Sequence, residues 1–407
     1  MTDWMLLALF GFAALVNLAW VFFFLWNHLY LRAQDRNLPE PANWPSVDIL
    51  IPARNEARNI ERCVRTLAAQ DYPGDWHLTV CDDESTDDTL AILQRLQAEF
   101  PHRLTVLVGA AQPLPPGWCG KCWATARMGE AAARDWLLFF DADTFFEPAM
   151  LREVMRRALR PSRGKPLGLM GGCPAVEREG FLEHTFMPVI PIMFNLGPVQ
   201  VSLRNRFMPP VPGFFHLWPR DAYRATGGYR AVWDKVLDDM EMCRVVLQHG
   251  FSLKLIDPSG WMGLRMYRSL PEIWNGLHKS VGYLMFKNLP LAMLSAGAIL
   301  WAGCVPLLAP AVLAWRGTDA LGLTAAASLA LAMLFRLLDW ARNGGRLWSV
   351  LLQPVLSTFL AAVLVHSTWS LASGRGVVWK DRRYDDGDYK RTYSSQARTA
   401  GLELPRS

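Results

Sequence analysis

The sequence predicts an α/β domain on a doubly wound sheet, flanked by transmembrane helices, and three observations lead there. Between residues 46 and 288 short apolar runs alternate with amphipathic stretches. Clusters of carboxylates close several of those runs, and long apolar segments stand on both sides of the region. Composition agrees: 51% of the 407 residues are apolar, only 19% are charged, and 18 Trp, 9 Tyr and 20 Phe exclude a disordered or collagen-like chain. The 42 basic and 37 acidic side chains leave a net charge of +5, too small and too evenly spread for nucleic-acid binding. Seven cysteines, at 63, 81, 119, 122, 173, 243 and 304, lack the dense spacing of a secreted disulfide scaffold and read as thiols on a reducing, cytosolic face.

The first apolar segment runs from Trp4 to Trp26 with Asn17 as its one strongly polar side chain. That is enough helix to cross about 30 Å of hydrocarbon. It has neither a basic start nor a small-residue cleavage site, so residues 1–30 read as a retained anchor rather than a signal peptide. Arg32 and Arg36 follow it while Asp3 alone precedes it, which places residues 46–288 in the cytoplasm. Leu289–Trp315, Ala320–Trp340 and Leu347–Leu371 make three further candidates within a membrane region 289–372, before a polar, basic tail at 373–407. Three crossings conflict with the charges, because they leave Arg375, Lys380, Arg382, Arg383, Lys390 and Arg391 outside. Either one segment is re-entrant or interfacial, or the stretch with Pro306 and Pro310 makes two short passes; Arg336 also weakens the middle span.

Within the middle region the elements follow in order. Val47–Ile51 is a strand ended by Pro52, and an amphipathic helix is expected over 57–69. The strand Leu78–Cys81 stops at Asp82-Asp83, a helix over 89–100 leads to the strand Leu104–Val108, and a helix over 123–134 precedes the strand Trp136–Phe140. Sheets of this kind bind ligands beyond the carboxyl ends of their strands, which is where Pro52–Glu56, Asp82–Glu84 and Asp141–Asp143 fall.

The chemistry lies in those clusters. Asp141 and Asp143, spaced i, i+2 after a buried strand, offer oxygen ligands to a hard divalent ion, Mg²⁺ or Mn²⁺, which commonly bridges to phosphates; a solvated loop is the bland alternative. In Asp82-Asp83-Glu84-Ser85-Thr86-Asp87-Asp88 one or two acids can cap the next helix, and Asp82 or Asp83 can accept from a base N–H or a ribose hydroxyl. Cys119-Gly120-Lys121-Cys122 invites a redox or half-zinc reading, but the approach Pro113-Leu114-Pro115-Pro116-Gly117 does not suit a thioredoxin-type helix start, and no second Cys or His pair has zinc spacing.

Taken in order, Ile51-Pro52-Ala53-Arg54-Asn55-Glu56, the acidic run at 82–88, Gly117-Trp118-Cys119-Gly120-Lys121 and Phe139-Phe140-Asp141-Ala142-Asp143-Thr144 resemble a membrane-bound family 2 glycosyltransferase of the GT-A type. The branch resembled is the one that glycosylates lipids, including ceramide glucosyltransferase and carotenoid or hopanoid glycosyltransferases. The resemblance covers residues 46–288 and implies a mixed sheet and an inverting, metal-dependent transfer of one sugar, from a nucleoside diphosphate sugar such as a UDP-sugar, to a membrane lipid. It implies that Pro52, Ala53, Arg54, Glu56 and Asp83 hold the nucleoside. Asp141 and Asp143 then address the ribose-diphosphate side and its metal, with Asp143 the first metal ligand, while Lys121 offsets diphosphate charge. Asp239, in Asp238-Asp239 at the start of a helix, matches the family's general base, with Asp238 where Glu is usual; an acidic first turn stabilised by the helix dipole is the alternative. Arg265 and Arg268 resemble the family's diphosphate-contacting arginines, with Ser269 where Trp is usual, a departure that argues against a processive synthase. Those arginines could instead meet lipid head groups.

Gly213–Arg220 and Gly227-Gly228-Tyr229 resemble the acceptor side, with His216 left without a role, and the apolar stretch Pro188–Pro212 could lie at the bilayer surface. The expected location is the inner membrane of a bacterium, with the catalytic domain facing the cytoplasm. Two other readings stay open: a processive polysaccharide synthase, and an inactive nucleotide-binding membrane scaffold.

Overall fold

The computed structural model describes residues 3–35, 38, 40–160, 164–195, 199, 203–204, 211–379 and 382–384. Much of the stretch expected at the bilayer surface, including Arg206, lies outside them, as do Lys380, Asp381 and the tail from 385. The chain divides into two compact units, one holding Leu31–Ala175, Val201–Met266 and Lys380–Ser407, the other Met1–Tyr30, Val176–Gln200 and Tyr267–Trp379.

The first unit is built on β1 (Val47–Ala53), β2 (Trp76–Asp82), β3 (Leu104–Val108), β4 (Trp136–Phe140), β5 (Thr144–Phe146), β6 (Leu167–Gly172), β7 (Ala175–Val176), β8 (Phe215–Pro219), β9 (Ser252–Ile256) and β10 (Met262–Leu264). Seven strands form one sheet in the order β3-β2-β1-β4-β8-β6-β9. From β1 to β4 the strands are parallel, whereas β8 runs antiparallel to both β4 and β6, so the sheet is mixed as expected. The chain works outward from β1 to β3 and then returns across β1 to β4, which creates a topological switch point at the carboxyl ends of β1 and β4.

Periodicity explains the helices on this sheet. In Ile60–Ala68 the buried residues are Ile60, Cys63, Val64 and Leu67, the i, i+3, i+4, i+7 stripe of a helix with one face in a core. Strand β1 is buried almost throughout, the pattern of a central parallel strand. Its one charged residue, Asp48, is buried too, 5% exposed, and accepts from the backbone N–H groups of Ala133 (2.9 Å) and Arg134 (2.9 Å) and from Arg134 Nη1 (2.8 Å). Asp48→Ala leaves three donors unanswered and is expected to cost about 2–4 kcal/mol, read as a lower thermal midpoint of the detergent-solubilised protein.

The second unit is helical. Four of the chain's described helices are long and apolar enough to cross a membrane: Asp3–Gln34, Leu289–Arg316, Ala320–Asn343 and Leu347–Ala372. Their side-chain pairs fix the directions. Arg316 meets Asp3 (2.9 Å), Trp301 Nε1 donates to Leu9 O (2.9 Å), and Asn17 Nδ2 donates to Ala302 O (3.1 Å), so Leu289–Arg316 runs antiparallel to the first helix. Phe335 packs on Trp20 and Phe24, and Arg342 contacts His28, so Ala320–Asn343 runs parallel to it.

The last apolar segment packs along the helices before it. After a 3-10 stretch at Leu347–Leu352, its helix Gln353–Ala372 begins beside Cys304, whose thiol contacts Pro354 O and Thr358 Oγ1, and Ser357 packs on Gly303. From there it runs back past Leu289–Cys304 to the helix Leu270–Leu284, where Ser367 Oγ donates to His278 O (2.5 Å) and accepts from Gly282 N–H (2.9 Å). Both ends of Leu347–Ala372 therefore lie at the His28 end of this unit. Arg336 is also accommodated: it is 2% exposed, pairs with Asp339 on its own helix (2.9 Å) and reaches Ser349 O (3.5 Å).

Candidate active site

Strand register gathers the carboxylates at the switch point. Ala53 pairs with Asp82, so the residues after β1 and β2 start side by side, and Leu50 pairs with Phe139, which carries the end of β4 to the same edge. Strand β8 enters there from the opposite direction, and Asp141 N–H donates to Phe214 O (3.3 Å). The residues before β8 are thus brought against the residues after β4.

The first cluster is a pair of interlocked loops. Arg54 Nη1 donates to the carbonyls of Asp83 (2.6 Å) and Glu84 (2.8 Å), and Asp83 N–H donates to Ala53 O (2.7 Å). Asn55 N–H donates to Ser85 Oγ (3.0 Å), Thr86 N–H to Asn55 Oδ1 (2.8 Å), and Glu56 N–H to Thr89 Oγ1 (2.8 Å). Asn55 (φ 52°) and Glu84 (φ 57°) both sit in the left-handed region, strain that the surrounding bonds hold in place. Arg54 thereby fixes the backbone that presents Asp83. Asp83 is buried, and burial raises its carboxyl above the usual carboxylate range against the pull of Arg382 and Arg54.

The second cluster is centred on Lys121. The helix here begins at Gly120, earlier than expected, so Cys119 and Cys122 do open a helix despite the prolines before them, and both are buried free thiols. Lys121 Nζ lies 2.7 Å from Asp141 Oδ1 and 3.9 Å from Asp238 Oδ2. Burial disfavours its charge, but those two carboxylates outweigh burial and hold the ammonium well above its ordinary range. Asp238 is a partner that sequence reasoning missed as a site residue; its position beside a matched Asp239 was the available signal.

Asp239 stands in the first turn of the helix Asp238–Gln248. Its Oδ2 accepts from Gly213 N–H (3.1 Å) and its Oδ1 from Met240 N–H (2.8 Å). A Cβ on Gly213 would stand 3.2 Å from Asp239 Cβ, which explains a glycine at that approach. Burial and the neighbouring Asp238 push the Asp239 carboxyl up to about 6, against the pull of its two N–H donors and Lys121. His216, on β8, is 1% exposed and hydrogen-bonded through Nδ1 to Tyr229 OH (3.1 Å); burial lowers it to about 4, so it is a neutral, packed residue near neutral pH.

The carboxylates of Asp141 and Asp143 are oxygen donors of the kind that suit Mg²⁺ or Mn²⁺, ions that keep positions open for water and phosphate. Among the described residues no group of three or more His, Cys, Asp and Glu side chains is arranged to hold a metal by itself. The backbone of Arg265 is brought to this point, its N–H donating to Asp143 O (3.1 Å). Arg268 belongs to the other unit, where its N–H donates to Glu272 Oε2 (3.0 Å). Next to it, Ser269 caps the helix Leu270–Leu284, its Oγ accepting from Glu272 N–H (3.4 Å), which gives a structural reason for serine at that position.

The chain is a glycosyltransferase, as the comparisons with known proteins show. A family profile described as "Glycosyltransferase like family 2" matches residues 45–256, and the chain belongs to that family. The chain is 34% identical over 122 residues to the β-monoglucosyldiacylglycerol synthase of Synechocystis, covering 30% of this chain and 24% of that protein. It is 23% identical over 364 residues to the 4,4'-diaponeurosporenoate glycosyltransferase of Staphylococcus aureus, covering 87% of this chain and 91% of that protein. Among solved structures, a mannosyltransferase from Pyrobaculum calidifontis in complex with GDP-Man and Mn²⁺ is 16% identical, with a TM-score of 0.49, covering 89% of this chain and 98% of that one.

Proposed function

We propose that this protein transfers one sugar, with inversion, from a UDP-sugar to a hydroxyl of a membrane lipid. The observation that carries the reading is Asp239: a half-buried carboxylate oriented by two backbone N–H groups and raised to about 6, in the unit that also holds the Lys121–Asp141 pair. A group with that affinity is ionised at neutral pH yet basic enough to take a proton. In the reaction the acceptor oxygen attacks the anomeric carbon, its proton passes to Asp239, and the bond from that carbon to the diphosphate breaks with both electrons on the departing phosphate oxygen. Lys121 and Arg265 supply cationic charge toward that leaving group. A divalent ion held by Asp143 and Asp141 would neutralise the same developing charge.

A lipid acceptor is supported by the named substrates of the two relatives, a diacylglycerol lipid and a carotenoid acid, the second matched over most of both chains. We also propose that the last apolar segment is re-entrant, which supports a cytoplasmic orientation for the sheet unit. It brings Arg342, Arg346 and the start of the basic tail to one end of the helical unit, the end from which Arg32 and Arg36 follow the first helix.

The test is release of nucleoside diphosphate by the detergent-purified protein across a panel of nucleotide sugars, with Mn²⁺ or Mg²⁺ and with or without bacterial lipid extract. Asp143→Ala is expected to remove at least about 100-fold of the metal-dependent rate. Metal-independent release, or release that ignores added lipid, contradicts the proposal.

A further inference from the structure

This inference rests on that reading together with the nucleoside role that the family resemblance implies for Asp83. The carboxylate is already engaged by the chain's own C-terminal segment. Arg382 Nη1 lies 2.5 Å from Asp83 Oδ2, and Nη2 lies 3.5 Å from Asp83 Oδ1 and 2.9 Å from Glu84 Oε2. The side chains of Arg382 and Asp83 are only 16% and 8% exposed, so this is not a solvated surface pair.

The surroundings are shaped to admit the guanidinium. A Cβ on Gly120 would overlap Arg382 Nη1 and stand 2.5 Å from Asp83 Oδ2, so the absence of a side chain there is what lets the two meet. Arg54 holds the carbonyls of Asp83 and Glu84, which keeps both carboxylates facing Arg382. Gly120 also opens a helix of 12 residues, and the positive end of a helix dipole gives a cation no welcome. The two carboxylates are therefore what retains Arg382. A base N–H or ribose O–H that is to donate to Asp83 must take that carboxylate from Arg382.

We propose that Arg382 is a built-in competitor at the nucleoside end of the donor site, covering Asp83 until a nucleoside displaces it. The contest is for a hydrogen-bond acceptor, so it applies to a nucleoside without phosphates, and it sets the affinity for the donor.

The experiment measures equilibrium binding of uridine and of UDP to the full-length protein in detergent, for the wild type and for Arg382→Gln, Glu84→Gln and Asp83→Asn. Arg382→Gln is expected to tighten uridine about tenfold, the scale of a charge-assisted hydrogen bond. Glu84→Gln, which loosens Arg382 without altering Asp83, tightens it by less, and the gain disappears when Arg382→Gln is combined with Asp83→Asn. Unchanged or weaker uridine binding in Arg382→Gln overturns the proposal, as does a loss confined to UDP, which would make Arg382 a phosphate ligand. A lower thermal midpoint with no gain in affinity would reduce Arg382 to a structural tie and also overturn it. If neither uridine, UDP nor GDP binds to wild type or Arg382→Gln at millimolar concentration, the donor-site reading itself falls, and this proposal with it.

Discussion

Asp239→Asn is expected to lower kcat by about 10²–10⁴-fold, the range that a positioned general base supplies, while UDP affinity stays near that of the wild type. Asparagine keeps the shape and its one carbonyl oxygen can still accept from Met240 N–H, while its amide nitrogen cannot accept from Gly213 N–H, so a thermal midpoint close to that of the wild type is what assigns the loss to proton transfer rather than to a collapsed loop. The pH dependence separates this from an indirect effect. Because burial and Asp238 raise the carboxyl to about 6, wild-type kcat/KM should climb with pH through about 6 and then level, since only the ionised form can accept the proton. The residual activity of Asp239→Asn should lack that limb. Stability carries the opposite sign. A carboxyl whose affinity for the proton is higher folded than unfolded binds more protons in the native state between about 4 and 6, so it withdraws stability as pH rises through that window. The variant should therefore match the wild type near pH 4 and have an equal or higher thermal midpoint above pH 6. A variant that loses kcat and thermal midpoint together at pH 7 would instead point to a structural role.

How much of this was legible in the sequence depends on the range of the signal. Strands β3 and β4 are found where the sequence places them, because each is a short apolar run bounded by polar residues, and the carboxylates that follow β2 and β4 fall at the ligand-binding edge by topology alone. The start of the Gly120–Ala131 helix was not legible, because prolines upstream suggest a later start while the chain turns helical directly after Cys119. Nor did periodicity show which neighbours Gln353–Ala372 packs on: an apolar segment looks the same whatever it faces, and its contacts with Gly303 and Gly282 are visible in three dimensions alone. The same limit hides Asp238 beside Lys121 and Arg382 on Asp83, the latter separated by 299 positions in the chain. Ion pairs between distant residues leave no spacing to read. Ser269 is a different case, since the missing tryptophan was visible but the helix it caps supplies the physical reason.

Lys121→Met is the second substitution expected to have a large effect, about 100-fold in kcat/KM. Its ammonium lies 2.7 Å from Asp141 Oδ1 and 3.9 Å from Asp238 Oδ2, and it is among the charges that draw the Asp239 carboxyl downward. Removing it does two separable things. The base loses a cation that favours its ionised form, so the acid limb of kcat/KM should move above pH 6. The donor loses a cation that faces its diphosphate, so KM should rise at every pH. Assay at higher pH distinguishes them: the part of the loss due to Asp239 is regained once that carboxyl ionises, whereas the part due to the leaving group is not. A recovery that is incomplete, with KM still raised, is the expected result. Full recovery would confine Lys121 to tuning Asp239, and a loss with no shift of the acid limb would confine it to the diphosphate. Methionine is the informative replacement because it keeps much of the side chain's length while removing the charge, so the packing against the buried face of the Gly120–Ala131 helix is retained.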